Sequence, residues 1–131
     1  MQGNKQAVNQ IVKAYKLQDG AANFPALFTV PTSQRLPAMA KENYEQTISV
    51  VTVGLTVAFE SMNLRRPMSN GQIIDLADAI IDSSSEDNLS LEDIVLFLQG
   101  LTRGKYGVLY ESMDIPKFME KLEQYREERH T

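Results

Sequence analysis

The chain contains no cysteine, which excludes disulfides, thiolate metal sites and a cysteine nucleophile. Its single histidine, His130, is the penultimate residue. Catalysis by imidazole and ordinary zinc sites are therefore not expected. No apolar run approaches the roughly 20 residues needed to cross a bilayer. No apolar signal core follows Met1-Gln2-Gly3-Asn4-Lys5, so a cytoplasmic protein without membrane association is expected. Cations are also missing from one long stretch: none lies between Arg66 and Arg103, whereas Asp75, Asp78, Asp82, Glu86, Asp87, Glu92 and Asp93 all do. The net charge of -4 gives a whole-molecule field that does not draw nucleic acid, although a local basic patch still can.

The 131 residues suit one domain with a core that needs no staples. An apolar fraction of 43% and a charged fraction of 23% are those of an ordinary globular protein. Within it, residues 1–37 read as a peripheral helix and a proline-rich arm, and 38–131 as a helical core. Val8, Ile11, Val12 and Tyr15 recur at helical spacing over 5–17, and Asp19-Gly20 ends that helix. Pro25, Pro31 and Pro37 exclude a continuous helix over 21–37. Phe24, Leu27, Phe28 and Val30 in that stretch suit a loop packed on the core, with an arm packed on a partner as the alternative.

Over 38–64 two periodicities compete. Tyr44, Ile48, Val51, Leu55, Phe59 and Met62 follow helical spacing, while 51–57 alternates like a strand and is rich in β-branched residues. Helix formers flank it, no turn residues bound the ambiguous centre, and no second strand is available to pair with it. A long, central and most buried helix is expected, with Gly54 at a close crossing or a weak point. Arg65-Arg66-Pro67 breaks it. Ser69 followed by Gln72 is a capping box ahead of an apolar stripe of Ile73, Leu76, Ala77, Ile80 and Ile81. Ser90 caps a helix over Leu91–Thr102, with Glu92 and Asp93 where the macrodipole favours acids, Ile94, Phe97, Leu98 and Leu101 inward, and Gly104 closing it. Asp114 caps the last helix, 115–129, whose inward face is Ile115, Phe118, Met119, Leu122 and Tyr125. Its charged residues, Arg126 and Arg129 included, read as a solvated face. The fold class is all-α, a compact bundle of about five helices.

Four groupings bear on chemistry. Residues 82–93 echo a calcium loop, with Asp82, Ser84, Glu86, Asn88 and Ser90 at alternate positions and Asp93 at the twelfth. The sixth position is Asp87 instead of glycine, and the bidentate glutamate is missing. Ser90 and Asp93 as helix caps explain the pattern better, and no metal or other cofactor is expected. Asp75, Asp78 and Asp82 share a helix face, which is a solvated surface or a face for a basic partner. Arg65, Arg66, Arg103 and Lys105 sit at helix ends. With Tyr106 and Tyr110 they would make a basic, stacking patch for nucleic acid, or the last two cations simply complement a helix dipole. Gly104-Lys105-Tyr106-Gly107 has the glycine spacing of a backbone clamp without its helix–strand context, and it lacks the spacing of a Walker loop. A tight reversal anchored by Tyr106 and Tyr110 is the physical reading. No catalytic constellation is completed.

Leu89-Ser90-Leu91-Glu92-Asp93-Ile94, then Gly104-Lys105-Tyr106-Gly107 with Tyr110 and Asp114, then Tyr125-Arg126-Glu127-Glu128-Arg129, together resemble a family of small uncharacterised helical proteins. These occur in genomes, phages and mobile elements of Bacteroides-like bacteria. The resemblance spans residues 39–129, and its specific part is the GKYG-x-x-Y-x-x-x-D motif. Its members look similar in size and context to phage replication accessory proteins that bind a replicative helicase. By analogy this implies a non-enzymatic adaptor with a protein partner; direct binding of nucleic acid is the alternative. The adaptor reading expects an exposed apolar or aromatic patch near Tyr106 and Tyr110 and a complementary acidic face.

Overall fold

The computed structural model describes residues 34–107 and 112–130. Five helices occupy most of that span: α1 (Leu36–Glu42), α2 (Tyr44–Met62), α3 (Asn70–Ser84), α4 (Leu91–Thr102) and α5 (Ile115–His130). The described residues contain no strand, only isolated bridges pairing Arg35 with Ser90 and Arg66 with Ser112. The bundle is all-α, as the apolar periodicity predicts. The helix expected over 5–17 and most of the proline-rich stretch lie outside the described residues. The described end of that stretch belongs to the core, not to an arm. Leu36 is fully buried, its amide donates to the Leu89 carbonyl at 2.8 Å, and Pro37 sits in the first turn of α1, where it displaces no helical bond.

The helix expected over 38–64 is two helices. Asn43 adopts an extended conformation (φ -156°), and its side chain accepts from the Gln46 amide, so it ends α1 and starts α2. Its carbonyl also accepts the buried Thr47 hydroxyl at 2.8 Å. The apolar stripe runs straight across the break, which is why periodicity alone misses it. The signal is the capping pattern Asn43-x-x-Gln46. At the far end Asn63 takes the left-handed conformation (φ 52°) that stops α2.

Helix α2 is central in that it packs against α1, α3 and α4. It is not the most buried. It encloses seven of its 19 residues, against eight of 12 in α4, and Tyr44, placed on its apolar stripe by spacing, is 41% exposed. The core centres on Phe97 of α4. Its ring meets Phe118 and Tyr125 of α5 nearly edge-on at 5.2 and 5.8 Å, and Tyr106 at 5.3 Å. Phe118 extends the cluster to Phe59 of α2 at 6.1 Å. Edge-on pairs of this kind add about 0.5–1.5 kcal/mol each beyond the area they bury. The predicted stripes of α3 and α4 are buried throughout, and Phe118, Leu122 and Tyr125 of α5 complete the core.

Local chemistry places the helix starts where the sequence indicates. Ser69 and Gln72 exchange both bonds of a capping box at 3.2 and 2.9 Å. Ser90 and Asp93 form a second box. Asp114 accepts from the Lys117 amide at 2.8 Å. Gly104, with φ +80°, closes α4 in a conformation that disfavours any side chain.

Candidate functional site

The connection from α4 to α5 is tied down from within. Tyr106 is only 7% exposed. Its ring lies over Gly100, where a Cβ would sit 3.0 Å from Cε2, so the missing side chain there makes room for the ring. Its hydroxyl donates to Glu128 Oε1 at 3.0 Å, and its carbonyl accepts from Lys121 Nζ. Burial, reinforced by the Glu128 carboxylate, pushes the phenol well above its ordinary pKa. Tyr106 is thus an anchor with little ring surface left for stacking on a base, or for the exposed aromatic patch that the adaptor reading expects of it. Lys105 is exposed and pairs with Glu128 at 3.3 Å, its ammonium 5.7 Å from the Tyr106 ring centre. Arg65, Arg66 and Arg103 are exposed. The Arg66 backbone bridges to Ser112, which brings the 65–66 corner beside the segment leading into α5. Gly107 is also left-handed (φ 108°), as a tight reversal needs, and Asp114 caps α5. Tyr110 lies outside the described residues.

The 82–93 segment does something that neither the calcium-loop echo nor simple capping anticipates. Asp93 is fully buried. One of its oxygens accepts from the Ser90 amide and hydroxyl at 2.9 and 3.1 Å. The other accepts the Tyr125 phenol at 2.7 Å and lies 3.3 Å from Arg129 Nε. Asp87 lies 3.1 Å from Arg126 Nε and 3.4 Å from Arg129 Nη1, and its carbonyl accepts from Arg129 at 3.0 Å. Arg126 reaches further, donating to the Ser83 carbonyl and hydroxyl at 3.1 and 3.0 Å. Two acids and two guanidiniums are thus enclosed together. Burial, with the Asp93 charge beside it, drives the Tyr125 pKa strongly upward.

Arg126 and Arg129, expected from the charge pattern to be solvated, are instead nearly enclosed, their side chains 7% and 6% exposed. Arg129 falls on the Phe118, Leu122, Tyr125 stripe by spacing, which is the signal that marks it as inward-facing. The segment that echoes a calcium loop therefore directs two of its carboxylates onto the protein's own cations. Among the described residues no group of three acids or histidines is arranged to hold a metal.

The acidic face of α3 is different. Asp75, Asp78 and Asp82 are all exposed, and so are Gly71 and Ser85 on the same stripe. Ile74 lies among them at 46% exposure. One helix face thus offers three carboxylates and an aliphatic side chain to solvent. No protein-family model, curated protein or solved structure matches the chain.

Proposed function

We propose that this chain is a non-enzymatic adaptor of a phage or mobile element that binds a replication protein, such as a replicative helicase, through the outer face of α3. The observation that carries the reading is that stripe. Ile74 supplies apolar contact, and Asp75, Asp78 and Asp82 surround it with negative charge on a helix that has no cation of its own. A partner presenting a basic rim around an apolar depression would match it in both respects. The resemblance of residues 39–129 to small proteins of Bacteroides-like phages and mobile elements supports the biological setting.

Enzymatic action has less to recommend it. Of the buried polar groups, Asp87, Asp93 and Tyr125 are engaged in holding α5 to the preceding segment, and Tyr106 in binding Glu128. The nucleic-acid alternative keeps Arg65, Arg66, Arg103 and Lys105 as exposed cations but loses Tyr106 as a stacking platform. Affinity capture from the native host during replication of the element tests the adaptor reading, and failure to recover a replication protein counts against it. A gel shift at low salt tests the alternative, because phosphate contacts are strongest there.

A further inference from the structure

The enclosed carboxylates of Asp87 and Asp93 both act on one end of α5. As far as Leu122 that helix is anchored chiefly by apolar side chains, with Phe118 and Leu122 both 0% exposed, and by Lys121, whose ammonium donates to the Tyr106 carbonyl. Beyond Leu122 each described attachment involves a polar group. The Tyr125 hydroxyl is on Asp93, Arg126 is on Asp87 and Ser83, and Arg129 is on Asp93 and Asp87. Tyr125 also sets its ring against Phe97, so its phenol joins the apolar cluster to the charged one. The groups that receive Tyr125, Arg126 and Arg129 come from a single run of chain that includes the end of α3, the turn and the start of α4. Glu128 accepts the Tyr106 hydroxyl and pairs with Lys105, contacts that opening also breaks.

We propose that the last two turns of α5, residues 123–130, form an electrostatic latch. It opens and closes as a unit against the 83–93 segment while the first half of the helix stays docked. Burying two acids and two guanidiniums is unfavourable unless every charge keeps its counterpart. Both Nε contacts are at ion-pair distance without hydrogen-bond alignment, so the pairing rests on proximity. Removing one partner strands the others in a dry site, which disfavours half-open states. Full opening returns all four charges to water, and their hydration offsets the broken ion pairs. The Ser90–Asp93 capping box lies wholly within the start of α4 and survives opening. Opening uncovers the face of Phe97 that Tyr125 covers and releases two arginines, so a ligand selecting the open form is coupled to this equilibrium.

Amide hydrogen exchange, resolved by residue, tests the latch in the full chain and in Arg129→Met. The variant keeps side-chain bulk and removes one charge. The amides of 124–130, together with those of Glu86 and Leu89 in the facing turn, are expected to accelerate about tenfold or more, while those of 118–122 change less than about threefold. Simple fraying of a helix end would leave Glu86 and Leu89 unchanged, and that result overturns the proposal. Equal acceleration along the whole of α5, or none anywhere, also overturns it. If Arg129→Met unfolds the protein, Arg126→Met is measured by the same criteria, and global unfolding of both variants contradicts a separable latch.

Discussion

The Asp93 carboxylate accepts the Tyr125 phenol at 2.7 Å inside a site from which water is excluded, while its other oxygen caps the helix that carries it. One side chain therefore starts α4 and docks α5. Asp93→Ala removes a cap, worth about 1 kcal/mol. It also leaves Arg129 facing an incomplete set of charges, a fault that costs about 3–5 kcal/mol when one partner of a buried pair is deleted. Urea denaturation should report a loss in that range. Asp75→Ala, on the exposed face of α3, should stay within about 0.5 kcal/mol of the parent chain.

Tyr125 makes a second prediction through pH. Its folded-state pKa is raised above the ordinary phenol value, so the fold favours the protonated form. The stabilisation this confers is complete below about pH 10 and is lost as pH rises beyond it, because the unfolded phenol ionises near there and the folded one does not. Alkaline unfolding followed by circular dichroism should therefore be less steep in pH for Tyr125→Phe. At neutral pH that variant should be less stable by about 1.5–3 kcal/mol, the value of a hydrogen bond to a charged acceptor. An unchanged alkaline profile would show that Tyr125 ionises while folded.

Two glycines should respond in opposite directions. Gly104 has φ +80°, so Gly104→Ala forces a side chain into a left-handed conformation and should lower stability by about 1 kcal/mol or more. Gly71 lies in the first turn of α3, and a methyl group there would meet nothing within 4 Å. Gly71→Ala should raise stability by about 0.4–1 kcal/mol by narrowing the unfolded ensemble. Thermal melts of the two variants beside the parent decide both signs.

What can be read without coordinates follows from how local each signal is. Ser69 with Gln72, Ser90, and Asp114 act on amides two or three residues away, so their roles are legible in the sequence. The stripes of α3, α4 and α5 are legible for the same reason. Asn43 is hidden because the apolar repeat continues through it, and a single side chain outweighs that repeat by capping a new helix. Arg126 and Arg129 mislead because a charged pair near a helix end looks solvated until its counter-ions are known. Those counter-ions, Asp87 and Asp93, lie more than thirty residues earlier. Tyr106 is legible as an anchor but not as a buried one, since the Gly100 surface that receives it has no marker of its own. The α3 face is legible as acidic, whereas the exposure of Ile74 within it requires the fold.

The adaptor reading is tested most directly by affinity capture with two baits in parallel from the native host during element replication. One bait is the parent chain and the other carries Asp75→Lys with Asp78→Lys, exposed substitutions that leave the core untouched. A replication protein is expected to be retained by the parent bait and largely lost from the charge-reversed one, with both baits equally folded by circular dichroism. Equal retention by the two baits, or no replication protein on the parent, would contradict the adaptor reading.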